Sequence, residues 1–135
     1  MLIDTNVWSE LSRPRPDECV SAWARLNFDK CILSAIVFGE IQYGIALAEG
    51  NRRKELQAFL DELMLRLNGV VADFDEEAAS VWGSLRARLK KTGNLFGERD
   101  MLIAAHALSL GTPLVTRNVS EMIRSGATVI NPWEP

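Results

Sequence analysis

Five short apolar runs, Leu2–Ile3, Cys31–Leu33, Val70–Ala72, Pro113–Val115 and Thr128–Ile130, alternate with longer segments whose apolar residues recur at three- and four-residue steps. A run of two or three apolar residues is too short for a helix and suits a strand buried on both faces. The longer segments have helical period: Ser34–Glu49 carries Ile36, Val37, Ile41, Ile45 and Leu47, and Lys54–Leu67 carries Leu56, Phe59, Leu60, Leu63, Met64 and Leu67. Glu76–Lys91 and Arg99–Leu110 complete the predicted helices, the last closed by Gly111 and Pro113. This alternation predicts an α/β fold with a short, mostly parallel central sheet covered by helices on both faces. At 135 residues, with no repeat or long linker, residues 1–135 are expected to form one domain.

The charge balance narrows the function. A net charge of -3 excludes the broad positive field of a protein that coats nucleic acid, so any such contact has to be local. The apolar stretch around Cys31–Phe38 is too short to cross a bilayer, and the opening Met-Leu-Ile-Asp4 lacks the pattern of a secretory signal, so a cytoplasmic location and no membrane contact are expected. Cys19 and Cys31 are not spaced as a metal-binding pair and read as free, packed thiols.

Sites in open parallel sheets form beyond the carboxyl ends of the strands. Asp4 directly follows the first apolar run, and Thr116-Arg117-Asn118 follows the fourth. Glu40 interrupts an apolar helical pattern, and Asp100 precedes Met101-Leu102-Ile103-Ala104-Ala105. Taken singly, each acid is compatible with a helix cap or a solvated side chain. Asp75 is assigned to capping, because it precedes Glu76-Glu77 at a predicted helix start. Convergence would be different: two like charges at about 4 Å repel by roughly 4 kcal/mol at an effective dielectric near 20, so a cluster demands a cation or a raised pKa. Hard divalent ions such as Mg²⁺ or Mn²⁺ prefer such oxygen ligands. If the acids cluster, Asp4→Asn is expected to leave melting in chelator unchanged or higher.

Leu2-Ile3-Asp4-Thr5-Asn6-Val7, then Leu33-Ser34-Ala35-Ile36 leading to Gly39-Glu40-Ile41-Gln42-Tyr43-Gly44, then Asp100 through Ala105, then Val115-Thr116-Arg117-Asn118 follow one another in the order seen in PIN-domain proteins. Down to Asn131-Pro132-Trp133, the chain resembles the VapC or FitB type of toxin. The resemblance implies a toxin of a toxin–antitoxin pair, acting as a Mg²⁺- or Mn²⁺-dependent endoribonuclease. It makes Asp4, Glu40 and Asp100 the catalytic and metal-binding acids, supported by Thr5, Asn6 and Thr116. The family's fourth acid corresponds to Asn118, an amide that brings no charge, with Glu121 and Glu98 as weaker substitutes. The resemblance also implies homodimers, a cognate antitoxin protein, and operator DNA reached only through that antitoxin.

Arg13, Arg15, Arg117 and, less directly, Arg124 are candidates for contacts to RNA phosphates, the first two on the loop that Pro14 and Pro16 impose. Three alternatives are weaker. A phosphatase with an aspartate nucleophile resembles D-x-D at this place, but position 6 is Asn. A hydrolase built on His106 lacks a G-x-S-x-G partner, and His106 reads as a surface or partly buried helix residue. A pure interaction module would present the apolar faces of 34–49 and 54–67 with Trp8 and Trp23.

Overall fold

The computed structural model describes all residues 1–135. In chain order the elements are β1 (Leu2–Ile3), α1 (Thr5–Leu11), α2 (Glu18–Asn27), a single 3-10 turn at Phe28–Lys30, α3 (Ala35–Leu47), α4 (Gly50–Arg66), α5 (Glu76–Lys91), α6 (Glu98–Leu110), β2 (Leu114–Val115), α7 (Val119–Arg124) and β3 (Val129–Ile130). The strands lie in the order β1-β2-β3, all parallel, with Leu2 opposite Leu114 and Val115 opposite Ile130.

The runs at 31–33 and 70–72 do not become named strands. They extend the same parallel pairing by isolated bridges, Leu2 with Ile32 and Ser34 with Ala72, because the chain turns into α3 one residue after Ser34. Their backbone groups are still paired: Ile32 N–H donates to Met1 O (2.8 Å), and Ala72 N–H donates to Leu33 O (2.8 Å). The four expected helices are present within a few residues at their ends, α4 starting at Gly50 rather than Lys54. Helices α1, α2 and α7 are additional to those the sequence periodicity predicts.

Side-chain caps start α1, α2, α3 and α5. Asp4 caps α1 by accepting from Thr5 N–H, and Asp17 caps α2 by accepting from Cys19 and Val20 N–H. Glu10, buried in α1, accepts from Asp17 N–H (2.9 Å) and pairs with Arg13 (3.0 Å), which ties α1 to the start of α2. Ser34 caps α3, and Asp75 caps α5 by accepting from Ala78 N–H, as its position before Glu76-Glu77 implies. Gly111 ends α6 in the left-handed conformation (φ 62°), where a side chain would be strained.

Leu2, Ile3, Leu114 and Val115 are wholly buried, each fully buried aliphatic side chain contributing about 1.5–3 kcal/mol. Helix α6 is the central helix of the core: Met101, Ile103, Ala104, Ala105 and Ala107 are all buried, and its small residues let α5 pack closely against it. The consequence for function is positional. Asp4 leaves β1 and Thr116 leaves β2 on the same carboxyl edge of the sheet, and the N-terminus of α6 reaches that edge.

Candidate active site

The site is built around Asp4, whose carboxylate is completely buried and accepts four hydrogen bonds. Oδ1 takes Thr5 N–H (2.7 Å) and Arg99 Nη2 (2.7 Å), while Oδ2 takes Thr116 Oγ1–H (2.7 Å) and Asn6 Nδ2 (3.2 Å). The Thr116 hydroxyl is the hub of this network, also accepting from Asn6 Nδ2 (3.1 Å) and Asn118 N–H (3.1 Å). Thr5 spans to the second acid by donating its hydroxyl to Glu40 Oε1 (3.1 Å). Thr5, Asn6 and Thr116 therefore fix the carboxylates by direct bonds.

Asp100 completes the cluster from the first turn of α6. Gly97, not Asp100, occupies the cap position there, so its carboxylate is free to face the sheet edge. Asn118 donates to Asp100 Oδ2 (2.9 Å) and to Glu121 Oε2 (2.6 Å), which draws Glu121 into the cluster. Glu98 is not brought there. Its carboxylate pairs with Arg86 of α5 (2.8 Å), because it stands about 200° around the helix from Asp100.

Arg99 is the site residue that sequence reasoning missed. Its guanidinium lies among the three acids: Nη2 binds Asp4, Nε binds Glu40 and Nη1 binds Asp100. A signal for it existed in the sequence, since a cation in the first turn of a helix opposes the helix dipole and needs a compensating partner. Burial acts to lower the Arg99 pKa, but the bond to Glu40 and the charges of Asp4, Glu40 and Asp100 outweigh it and leave it raised. Asp100 shows the strain of crowding: burial pushes its pKa up, Arg99 opposes this, and the charges of Asp4 and Glu121 add to the rise.

The donor set fits a hard divalent cation. Three carboxylate oxygens from β1's end, α3 and α6 point at one shared cation, with no sulfur or imidazole among them. As they stand, no three acidic, histidine or cysteine side chains are close enough to ligate one ion directly, since the guanidinium lies between them. The side chains are graded in exposure, with Asp4 at 0%, Asp100 at 17%, Glu40 at 26% and Arg99 at 39%, so the cluster opens to solvent on the Glu40–Arg99 side.

The other candidates fall elsewhere. Arg13 is engaged with Glu10, Arg15 is exposed, and neither pairs with a site acid. Arg117 stands at the rim: its N–H donates to Asn6 Oδ1 (3.3 Å), and its guanidinium lies over the Trp133 ring (5.1 Å). Arg124 lies over Phe96. His106 is fully buried rather than partly so, because α6 is enclosed by the core. Its Nδ1 forms a hydrogen bond with Ser34 Oγ (2.8 Å), which also accepts from Ile36 N–H (3.1 Å). Of the two thiols, Cys19 is exposed on α2 rather than packed, and Cys31 is partly buried. Trp8 forms part of the core, edge-on to Phe28.

Similarity to known proteins runs along the whole chain. The PIN domain family model matches residues 1–120. The chain is 38% identical to the VapC ribonuclease Y4jK of Sinorhizobium fredii, over 100% of this chain and 99% of that one. It is 35% identical to Toxin FitB of Neisseria gonorrhoeae, over 98% of both. The structure of FitAB bound to the IR36 DNA fragment superposes with a TM-score of 0.90 at 31% identity, covering 99% of this chain and 96% of that chain. With its sheet, its ordered acids and its full-length relatives in agreement, the chain belongs to the PIN-domain family, in the branch that holds the VapC and FitB toxins.

Proposed function

We propose that this chain is the toxin of a toxin–antitoxin pair, a cytoplasmic endoribonuclease that hydrolyses RNA phosphodiester bonds with Mg²⁺ or Mn²⁺ held by Asp4, Glu40 and Asp100. The observation that carries the reading is the convergence of those three carboxylates, from three separate elements, on one cation position. The naming of full-length relatives as a ribonuclease and a toxin supports it.

A bound divalent ion supplies positive charge for the scissile phosphate and makes a nearby water a better nucleophile. The chain's own residues do the positioning. Asp4, locked by four donors and out of reach of solvent, is the fixed ligand. Glu40 lies on the solvent side of the cluster, and with Oε1 held by Thr5 its Oε2 is turned toward the cation position that Arg99 occupies. Asp100 is aligned by Asn118, whose amide replaces the family's fourth acid; one firmly held ion follows, with Glu121 the nearest carboxylate for a weaker second. Of the arginines outside the cluster, Arg117, exposed and with its backbone N–H on Asn6, is the one assigned to an RNA phosphate.

An apolar groove between α1, α2 and α4 fits the partner half of the reading. Trp8, Leu11, Phe28, Phe59 and Leu63 line it, and Arg66 stacks on Phe28 at 3.6 Å. A helix of a cognate antitoxin has a matching apolar face to bury there. Homodimers of the toxin, and operator DNA bound through the antitoxin, belong to the same proposal.

Cleavage of RNA by purified protein in Mg²⁺ or Mn²⁺, abolished by chelator and by Asp4→Asn, tests the enzyme. Growth arrest on expression of wild type but not of Asp4→Asn tests the toxin. Equal arrest by both would mean that binding, not catalysis, is responsible. Sequencing the cut ends identifies the RNA.

A further inference from the structure

We infer that Arg99 is the resident counter-cation of the carboxylate cluster, and that its guanidinium and a divalent metal ion are alternative occupants of the same place. The inference rests on the metal reading of the site and extends it to a residue outside the ligand set.

Three observations lead to it. Each of the three guanidinium nitrogens of Arg99 goes to a different acid, so Asp4, Glu40 and Asp100 all depend on one cation. The oxygens it holds, Asp4 Oδ1, Glu40 Oε2 and Asp100 Oδ1, are those that face one another. Their companions are committed elsewhere, Asp4 Oδ2 to Thr116 and Asn6, Glu40 Oε1 to Thr5 and Asp100 Oδ2 to Asn118. The oxygens that Arg99 occupies are therefore the ones an ion shared by all three acids would take.

Nothing else secures Arg99 in place. It has no hydrogen bond outside the three acids, it sits in the first helical turn where the dipole repels a cation, and its side chain is two-fifths exposed. Once an ion neutralises the carboxylates, Arg99 loses all its partners together and has an open path to water. The site thus holds one positive charge among three carboxylates before metal arrives, and Arg99 sets how much metal is needed to load it.

Calorimetric titration of the full chain with Mn²⁺, wild type against Arg99→Gln, measures the competition. Arg99→Gln is expected to bind Mn²⁺ at least about tenfold more tightly, about 1.4 kcal/mol. A second measurement needs no variant to fold well: the Arg99 side-chain Nε–H resonance of the wild type should be protected in chelator and move to a solvent-exposed position in saturating Mg²⁺. Equal or weaker Mn²⁺ binding by Arg99→Gln, or an Nε–H resonance unmoved by Mg²⁺, overturns the role of Arg99 while leaving the metal site standing. Absence of Mn²⁺ binding in both proteins overturns the metal reading and this inference with it.

Discussion

Replacing Asp4 by Asn removes one charge, and the hydrogen-bond geometry determines what that does. An amide keeps one acceptor oxygen and turns the other into a donor. If nitrogen takes the Oδ2 position it confronts Asn6 Nδ2 and a Thr116 hydroxyl that already accepts two bonds; if it takes the Oδ1 position it confronts Thr5 N–H and Arg99. Either way two donors lose their acceptor in a buried place. Hydrogen bonds to a charged group contribute about 1.5–3 kcal/mol each, and relief of repulsion offsets only part, because Arg99 already compensates part of the charge of the neighbouring acids. The expected net loss is about 2–4 kcal/mol in chelator, a fall in Tm of roughly 10 °C for a chain of this size. This reverses what the sequence suggests, since clustered acids alone predict unchanged or higher stability on removing a charge. Urea unfolding in chelator measures it, with Asp61→Asn, on the exposed side of α4, as a control expected within about 0.5 kcal/mol of wild type. The same variant should retain less than about one hundredth of the RNA-cleaving rate in Mg²⁺. Stability of Asp4→Asn within the control's range would refute the bonding described for Asp4, and cleavage at the wild-type rate would refute its role.

Asn118→Asp restores the family's fourth acid but removes the amide that bridges Asp100 and Glu121, so it should lower stability in chelator by about 1–3 kcal/mol and show a larger Tm gain than wild type when Mg²⁺ is added. Burial holds the His106 pKa below its usual 6.5, against the raising effects of the Asp73 backbone and the Asp75 charge. The unfolded chain then takes up a proton before the folded one, so stability present above about pH 6.5 is lost as pH falls, at up to about 1.4 kcal/mol per pH unit. His106→Gln should flatten that part of a urea-unfolding series against pH. Burial, and to a lesser degree Asp29, raise the Cys31 thiol to about 11 despite the amino terminus and Arg66, whereas Cys19 is exposed. A thiol reagent at about pH 8 should therefore modify one cysteine rapidly in the native protein, and Cys19→Ser should abolish that fast phase.

The parts legible in the sequence are those with local physical signatures. The buried runs at Leu2–Ile3 and Leu114–Val115, the periodic faces of α3 to α6, the Asp75 cap and the Gly111 stop all depend on neighbours in the chain. Helices α1 and α7 were missed because seven and six residues are too few for a period to show. Helix α2 was missed behind the Arg13–Pro16 loop. Arg99 was missed for a different reason: its role depends on Asp4 and Glu40, which lie 95 and 59 residues away. Likewise Glu98 and Glu121 could not be told apart by spacing, although one faces α5 and the other faces Asn118.

The bond between Ser34 and His106 lies away from the acids, yet it joins the two segments that carry Glu40 and Asp100. Residue 34 meets 106 and residue 40 meets 99, so α3 and α6 run past each other in opposite directions and are joined at two points. Six residues of helix rise about 9 Å, which is the spacing between those joints. One joint is ionic and open to water; the other is neutral, dry and has no replacement if broken. The pair works like a caliper whose sealed end, a serine and a histidine, lies in the core while its tips, Glu40 and Asp100, meet solvent.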